Sequence, residues 1–163
     1  MKKNDMRQQI AQLGNGAHAL AIQLLGNTDD AADAVHDVFV KVLGKPASYN
    51  AVNGPFAPWF LRVVRNHCID MIRRRRPGAS DVGELADSCA GPEDSLEISQ
   101  RDRGLQMALA KLTADQRQII VLRDYMDLSY AEIADVLELA PGTVMSRLHR
   151  ARMALKEELI QHV

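Results

Sequence analysis

The spacing of apolar residues along the chain predicts helices throughout and no strand. Three early segments, roughly 5–26, 29–44 and 55–76, place apolar residues at the three- and four-residue intervals of an amphipathic helix. Four later segments share this pattern, at about 95–111, 114–124, 129–137 and 141–160. Residues that commonly start helices stand at Thr28 or Asp29, Pro55, Thr113, Ser129 and Pro141. The pattern therefore predicts an all-α fold.

Residues 77–98 separate the two groups of helices. They are rich in proline, glycine, serine and acidic residues and show little apolar periodicity, which is typical of a flexible acidic linker. We therefore predict two small helical domains, 1–76 and 99–163. The net charge of −1 conceals an uneven distribution of basic and acidic residues along the chain. Residues 1–76 have 11 Lys/Arg and 6 Asp/Glu, whereas 77–100 have 6 acidic residues and no basic one.

Composition excludes several classes of protein. With 47% hydrophobic residues the chain is not disordered in composition, and no stretch approaches the roughly 18 apolar residues of a membrane span. No signal-peptide pattern is present, so we expect a cytoplasmic protein without membrane insertion. Cys68 and Cys89 lie apart from each other and from any cysteine–histidine cluster, and the histidines are scattered. We expect no catalytic residue, no metal site and no cofactor.

Segment 29–44 has one apolar and one acidic face. The apolar face consists of Ala31, Ala34, Val35, Val38, Phe39 and Val42. Asp30, Asp33 and Asp37 align on the other face with His36 beside them, where a basic partner could dock. Periodicity alone favours a solvated surface over a binding surface here.

Segment 55–76 combines an apolar stripe with a basic face. The stripe consists of Phe56, Trp59, Phe60, Val63, Val64, Cys68, Met71 and Ile72. The polar face consists of Arg62, Arg65, Asn66, Asp70 and Arg73, and the segment ends in four arginines at 73–76. Arginines suit phosphate contacts, and an amide can pair with a base edge. An arginine run alone is equally consistent with a solubilising or helix-capping role.

Residues 129–150 have the proportions of a helix-turn-helix motif. Ser129 and Glu132 form a capping-box pattern, and the Pro141-Gly142 pair precedes the second helix. Its polar face presents Thr143, Ser146, Arg147 and Arg150. Short polar and arginine side chains near the start of such a helix favour insertion into the major groove over a purely structural helical hairpin.

The motifs of the two halves together resemble those of extracytoplasmic-function (ECF) sigma factors of the sigma-70 family. The chain from about residue 20 to 159 carries, in the family's order, LLGNTDDAADAVHDVFVKVL, FAPWFLRVVRNHCIDMIRRRR and LTADQRQIIVLRDYMDLSYAEIADVLELAPGTVMSRLHRARMAL. The first two resemble sigma region 2, and the third resembles region 4. The resemblance implies that 1–76 is region 2 and 99–163 is region 4, with core RNA polymerase, promoter DNA and an anti-sigma factor as partners.

The resemblance also implies roles for individual residues. Residues expected to bind core polymerase are Asp30, Asp33, His36 and Asp37. Residues expected to recognise and open the minus-10 element are Trp59, Arg62, Arg65, Asn66, Asp70, Arg73 and Arg74. Residues expected at the minus-35 duplex are Thr143, Ser146, Arg147 and Arg150, with Arg152 on phosphate.

The sequence departs from the family pattern in three places. His36-Asp37 replaces the usual Gln-Glu pair, Met145 replaces a frequent lysine, and the N-terminus is short. An alternative function is a helix-turn-helix regulator that binds duplex DNA without polymerase, and it predicts stable duplex binding by the free protein.

Overall fold

The computed structural model describes residues 1–75 and 100–161, and the predicted linker at 77–98 lies outside these ranges. The described residues form α-helices and short turns without any strand, so the all-α prediction is confirmed. Among the described helices, none is long and apolar enough to cross a membrane. The helices are α1 (Lys3–Leu25), α2 (Thr28–Gly44), α3 (Phe56–Arg75), α4 (Gln100–Ala110), α5 (Ala114–Ile120), α6 (Tyr130–Leu137) and α7 (Pro141–Gln161).

The start of α2 differs from the prediction. The N-cap is Asn27, not Thr28 or Asp29, because Asn27 has an extended backbone and its Oδ1 accepts hydrogen bonds from the amides of Asp29 and Asp30, at 2.8 and 3.1 Å. Helix α1 ends just before it at Gly26, whose φ of 71° is in the left-handed region that glycine adopts without strain. A two-residue connection therefore turns the chain from α1 into α2.

The predicted helix start at Thr113 and the predicted capping box of Ser129 and Glu132 are confirmed, and Thr113 forms a capping box as well. Thr113 Oγ1 accepts from the Gln116 amide at 3.2 Å, and Gln116 Oε1 accepts in return from the Thr113 amide at 3.1 Å. Ser129 and Glu132 repeat this arrangement at the start of α6, with both bonds 3.1 Å long. Each box satisfies two backbone donors that the first turn of a helix leaves without a partner.

The first domain packs α1, α2 and α3 against one another. The segment between α2 and α3 forms two single 3-10 turns, Pro46–Ser48 and Ala51–Asn53. Tyr49 lies between these turns, donates its hydroxyl to the carbonyl of Gly54 at 2.8 Å, and contacts the rings of Phe56 and Trp59. This aromatic cluster fixes the connecting segment against the start of α3.

The second domain is built from α4 to α7. A π-helical turn, Val121–Tyr125, extends α5, and the amide of Met126 closes it on the carbonyl of Val121 at 3.0 Å. The turn between α6 and α7 begins at Glu138, which has a left-handed φ of 56°. These two irregular turns set the directions of α6 and α7.

The two domains pack directly against each other. Helices α1 and α3 contact α5, α6 and the π-helical turn, and one continuous hydrophobic cluster runs through both domains. At one point Met126 lies against Gly16, so closely that a Cβ added at Gly16 would be 2.7 Å from the methionine sulfur. The prediction of two helical modules did not include this contact between them.

Candidate nucleic-acid interface

The second helix of the helix-turn-helix, α7, separates its buried and exposed faces as predicted. Its first four turns bury three apolar side chains, which are Val144, Leu148 and Ala151. The predicted minus-35 residues of these turns are all exposed, namely Thr143, Ser146, Arg147 and Arg150. The structure thus brings two hydroxyls and two guanidinium groups onto one accessible surface, a chemistry that suits base edges and phosphates.

The hydroxyls of this surface are locally oriented. Thr143 Oγ1 donates to the carbonyl of Ala140 at 2.7 Å, and Ser146 Oγ donates to the carbonyl of Thr143 at 3.1 Å. Each hydroxyl oxygen can still accept a hydrogen bond. Met145, in the same turn of α7, is 63% exposed.

Arg152 has a protein partner that the sequence did not predict. Its Nη2 lies 2.5 Å from Oδ1 of Asp124, and its Nε donates to Oδ2 of the same carboxylate at 3.2 Å. This two-point contact raises the pKa of Arg152, first through the hydrogen bond itself. The assignment of Arg152 to DNA phosphate stays a prediction, and Asp124 already occupies two of the guanidinium nitrogens, Nε and Nη2.

A polar stripe runs along α3. The intervals from Trp59 to Arg62, Asn66, Asp70 and Arg73 are three, four, four and three residues, so all five lie on one face of the helix. Asn66, Asp70 and Arg73 are exposed, whereas Arg62 is half-buried. This face carries donors and acceptors along most of the helix, and Arg74 is exposed next to it.

Trp59 belongs to the aromatic cluster of the first domain. Its ring lies 5.1 Å from that of Tyr49 and 5.6 Å from that of Phe56, measured between centroids, and it is half-buried. It therefore packs in the cluster while part of its side chain stays accessible. Its predicted contact with an unpaired base stays a prediction.

Arg65 is turned away from the exposed stripe of α3 and toward the second domain. Its Nε donates a hydrogen bond of 2.7 Å to Oε1 of Gln118 in α5. Burial in this contact lowers the pKa of Arg65, while Asp115 and Glu138 nearby favour its charged form. The sequence grouped Arg65 with Asn66, whereas the structure gives Arg65 a separate environment.

Arg117, next to Gln118, is the largest fully buried side chain of the described residues, at 1% exposure. Its guanidinium donates to the carbonyls of Leu109 and Leu112 within its own domain. It also donates from Nη2 to the carbonyl of Gln23 at 3.2 Å, near the end of α1 in the first domain. A cation at the C-terminal end of a helix is favoured by the helix dipole. Arg117 thus connects the α4–α5 corner to α1.

The acidic face of α2 is as exposed as predicted at Asp33 and His36, but two of its carboxylates contact α3. Asp30 accepts a hydrogen bond from Arg75 Nη1 at 2.7 Å, and this bond lowers the pKa of Asp30. Oδ2 of Asp37 lies 3.6 Å from Nε2 of His67. Side-chain contacts therefore connect the predicted polymerase-binding face of α2 to the predicted minus-10 helix, α3.

Sequence reasoning missed Arg117, Gln118 and Asp124. A signal for the first two was available, because both fall on the apolar side of α5 between Ala114 and Val121. Polar residues at core positions of a helix indicate a buried partner. The partner of Arg65 had no comparable signal, since 53 residues separate it from Gln118.

Metal and thiol chemistry find no support in the described residues. Within residues 1–75 and 100–161, no group of three or more histidine, cysteine, aspartate or glutamate side chains is arranged to hold a metal ion. Burial raises the pKa of the Cys68 thiol to about 12, which keeps it protonated and unreactive near neutral pH.

Comparison with known protein families assigns both halves of the chain. Residues 10–77 match the family model for Sigma-70 region 2, and residues 102–155 match that for Sigma-70 region 4. The ECF RNA polymerase sigma factor SigL of Mycobacterium tuberculosis is 35% identical over 140 residues, which cover 83% of this chain and 78% of SigL. The chain belongs to the ECF sigma factors. This ECF sigma factor is therefore an RNA polymerase sigma factor that contains both region 2 and region 4.

Other relatives agree with this assignment. The ECF sigma factor SigE of Mycolicibacterium smegmatis is 34% identical over 158 residues, which cover 94% of this ECF sigma factor but 61% of SigE. Among solved structures, the sigma factor RpoE of Bartonella quintana, in complex with the anti-sigma factor NepR, is similar with a TM-score of 0.69 and 28% identity. That similarity covers 95% of this chain and 96% of RpoE. The two-domain helical fold is thus shared along nearly the whole length of a known sigma factor.

Proposed function

We propose that this ECF sigma factor binds core RNA polymerase and directs it to promoters by reading the minus-35 element with α7 and the minus-10 element with α3. The observation that supports this proposal most directly is that α3 and α7 each have an exposed polar face, and that they lie in the two halves that match sigma regions 2 and 4. Region 2 and region 4 in one chain distinguish this function from that of a regulator with a helix-turn-helix alone.

The minus-35 proposal rests on the first turns of α7. Arg147 and Arg150 have the length and the forked donors to pair with guanine O6 and N7, and Thr143 and Ser146 can contact a base edge or a phosphate. Val144 and Leu148 anchor the opposite face in the domain core, which holds the reading face at a fixed angle. Met145 favours apolar contact with a thymine methyl group at one position.

The minus-10 proposal rests on the stripe of α3. Asn66 and Asp70 can pair with the edges of an unpaired base, and Arg62, Arg73 and Arg74 can hold its phosphates. The partly accessible Trp59 offers an aromatic side chain on which a base could stack, at one end of the stripe. Recognition of single-stranded DNA fits such a mixture, since a base that leaves the duplex exposes both its pairing edge and its ring face.

The polymerase-binding proposal rests on α2. Asp33, His36 and Asp37 are exposed on one side of this helix, and Asp30 joins them while bonded to Arg75. Acidic side chains in a row steer and orient a basic partner surface. Because the similar RpoE is seen with an anti-sigma factor, we also propose an anti-sigma partner for this chain. These roles describe a cytoplasmic initiation factor and not an enzyme.

The test is transcription in vitro from a library of genomic fragments, with purified core RNA polymerase in the presence and absence of this protein. We expect new transcript starts behind shared minus-35 and minus-10 elements. Arg147→Ala should reduce these transcripts by a factor that depends on the minus-35 sequence, and Asn66→Ala should reduce opening while leaving binding to an isolated minus-35 duplex intact.

The matched control is Arg7→Ala, which removes an exposed arginine of α1 outside both faces and should leave the transcripts unchanged. The regulator hypothesis makes the opposite prediction. Under that hypothesis, transcription by core polymerase stays unaltered while the free protein alone binds duplex DNA stably.

A further inference from the structure

Arg152 lies on a different side of α7 from the four residues proposed to contact the minus-35 element, which are Thr143, Ser146, Arg147 and Arg150. An α-helix turns by about 100° per residue, so Arg152 lies about 160° around the axis from Arg150 and about 140° from Arg147. It also lies about 7.5 Å beyond Arg147 along the axis. A duplex against the first turns of α7 would therefore meet the side opposite to Arg152.

The side chain of Arg152 is directed to the π-helical turn instead. Its Nε and Nη2 contact the two carboxylate oxygens of Asp124, at 3.2 and 2.5 Å. A two-point contact between a planar guanidinium and a carboxylate fixes the relative orientation of both groups. Both side chains are half-exposed, so we expect the pair to contribute little to the free energy of unfolding. Its main effect is on the direction of α7.

The residue before Asp124 makes a matching contact with the first helix of the helix-turn-helix. Arg123 Nη1 donates to the carbonyl of Leu128 at 2.8 Å, and its guanidinium lies 5.3 Å from the centre of the Tyr130 ring. Tyr130 is the first residue of α6. Two consecutive residues of the π-helical turn thus contact the two helices of the motif, α6 through Arg123 and α7 through Asp124.

Base recognition by α7 depends on its orientation. A rotation of the helix by about 10° moves a side-chain tip about 6 Å from the axis by about 1 Å, and hydrogen bonds to base edges do not tolerate such a displacement. Val144 and Leu148 anchor one side of α7 in the domain core. The contact of Arg152 with Asp124 adds an anchor about one turn beyond Leu148 and so resists rotation of the helix.

We propose that Arg152 is a positioning residue for minus-35 recognition, which acts through Asp124 and the π-helical turn and not through DNA phosphate. The proposal rests on the proposed function, because it assumes that α7 reads the minus-35 element. In this role the carboxylate of Asp124 is as necessary for duplex binding as the guanidinium of Arg152. The phosphate contact that the family resemblance implies makes the opposite demand, since Asp124 would then compete with DNA for Arg152.

The first experiment removes each partner and then both. Asp124→Ala, Arg152→Ala and the double variant are assembled with core RNA polymerase, and fluorescence anisotropy measures the Kd for a labelled duplex. This duplex carries the minus-35 element of the strongest promoter from the transcription library. We expect each single variant to weaken binding by the same factor, about threefold or more, and the double variant to bind no more weakly than either. Binding by Asp124→Ala as tight as that of wild type, or tighter, would overturn the proposal.

Two further variants separate geometry from charge. Asp135→Ala removes an exposed carboxylate of α6 outside the contact with Arg152, and it corrects for the loss of one negative charge near DNA. We expect it to bind no more weakly than wild type. Arg152→Lys keeps the positive charge but cannot make the two-point contact, so we expect it to bind as weakly as Arg152→Ala. Wild-type affinity of the lysine variant would contradict the positioning role.

The salt dependence of binding provides a second measurement. Loss of one phosphate contact lowers the slope of log Kd against log salt by about 0.9, because one fewer counterion is released. We expect Arg152→Ala to keep the wild-type slope between about 50 and 200 mM KCl. A slope that falls by about 0.9 would identify a phosphate contact and refute the proposal.

Residual dipolar couplings of the free protein test the geometry without DNA. They measure the angle between α6 and α7, and we expect the same change in Asp124→Ala and Arg152→Ala and none in Asp135→Ala. Unchanged couplings in the first two variants would rule out positioning. If the couplings change as expected but the wild-type protein supports no promoter transcription, the proposed function is the part that fails.

Discussion

Arg65 and Gln118, 53 residues apart in sequence, form a 2.7 Å hydrogen bond that joins the third helix of the first domain to the second helix of the second domain. Arg65 stands at the edge of the face that we assign to the minus-10 element, so the bond ties a DNA-reading helix to the domain that reads the other element. The acceptor is a neutral side-chain amide, so the contact is a hydrogen bond and not an ion pair.

Replacement of the buried Arg117 should destabilise the protein strongly. Arg117→Met keeps most of the side-chain volume but removes the donors to three backbone carbonyls, so we expect the free energy of unfolding to fall by about 3 kcal/mol. Urea unfolding followed by circular dichroism measures this change. Arg147→Met, at an exposed position, should stay within about 0.5 kcal/mol of wild type. Equal stability of the two variants would contradict the structural role of Arg117.

The capping box of α6 should contribute measurably to the helix-turn-helix. Ser129→Ala removes the acceptor of the Glu132 amide, and we expect a loss of about 1 kcal/mol in the free energy of unfolding. Ser129→Asp retains an acceptor at the same position and should be close to wild type. Thermal unfolding of both variants measures the difference, and an alanine variant as stable as the aspartate variant would argue against the cap.

Glycine at the turn between α6 and α7 should increase stability. Glu138 has a left-handed φ of 56°, which strains any residue with a Cβ. We expect Glu138→Gly to raise the free energy of unfolding by about 0.5 kcal/mol, whereas Glu138→Val should lower it, because β-branched residues tolerate this conformation poorly. Denaturant midpoints of the two variants should move in opposite directions. Movement in the same direction would show that the turn relaxes on substitution.

The ion pair between Asp30 and Arg75 should stabilise the folded protein near neutral pH and lose this effect at low pH. The hydrogen bond from Arg75 lowers the pKa of Asp30 below its ordinary value of 3.8, so the pair stabilises the folded protein above the unfolded-state pKa. This contribution is lost as the pH falls through the lowered pKa of the folded state. Arg75→Ala should return the pKa of Asp30 toward 3.8, as measured by carboxyl NMR titration. Arg74→Ala should leave it unchanged, and a shift of equal size in both variants would contradict the specific pair.

Much of the fold was predictable because helices are determined locally. Apolar residues three and four apart mark the faces that α2, α3 and α7 bury, and the capping boxes at Thr113 and Ser129 need only residues within one turn. The exposed faces of the proposed promoter contacts follow from the same periodicity, since a helix with one buried side must expose the other. Asn27 was missed as a cap because neighbouring Thr28 and Asp29 are equally good capping residues, and backbone geometry decides among them.

The sequence by itself determined the helices, their polar faces and the likeness to sigma regions 2 and 4. Only the tertiary structure decided which side chains meet: Arg65 with Gln118, Arg117 with Gln23, Asp30 with Arg75, and Met126 with Gly16. These pairs are separated by 45 to 110 residues. No local spacing rule links such positions, because their distance depends on how whole helices pack and on the way the second domain docks onto the first.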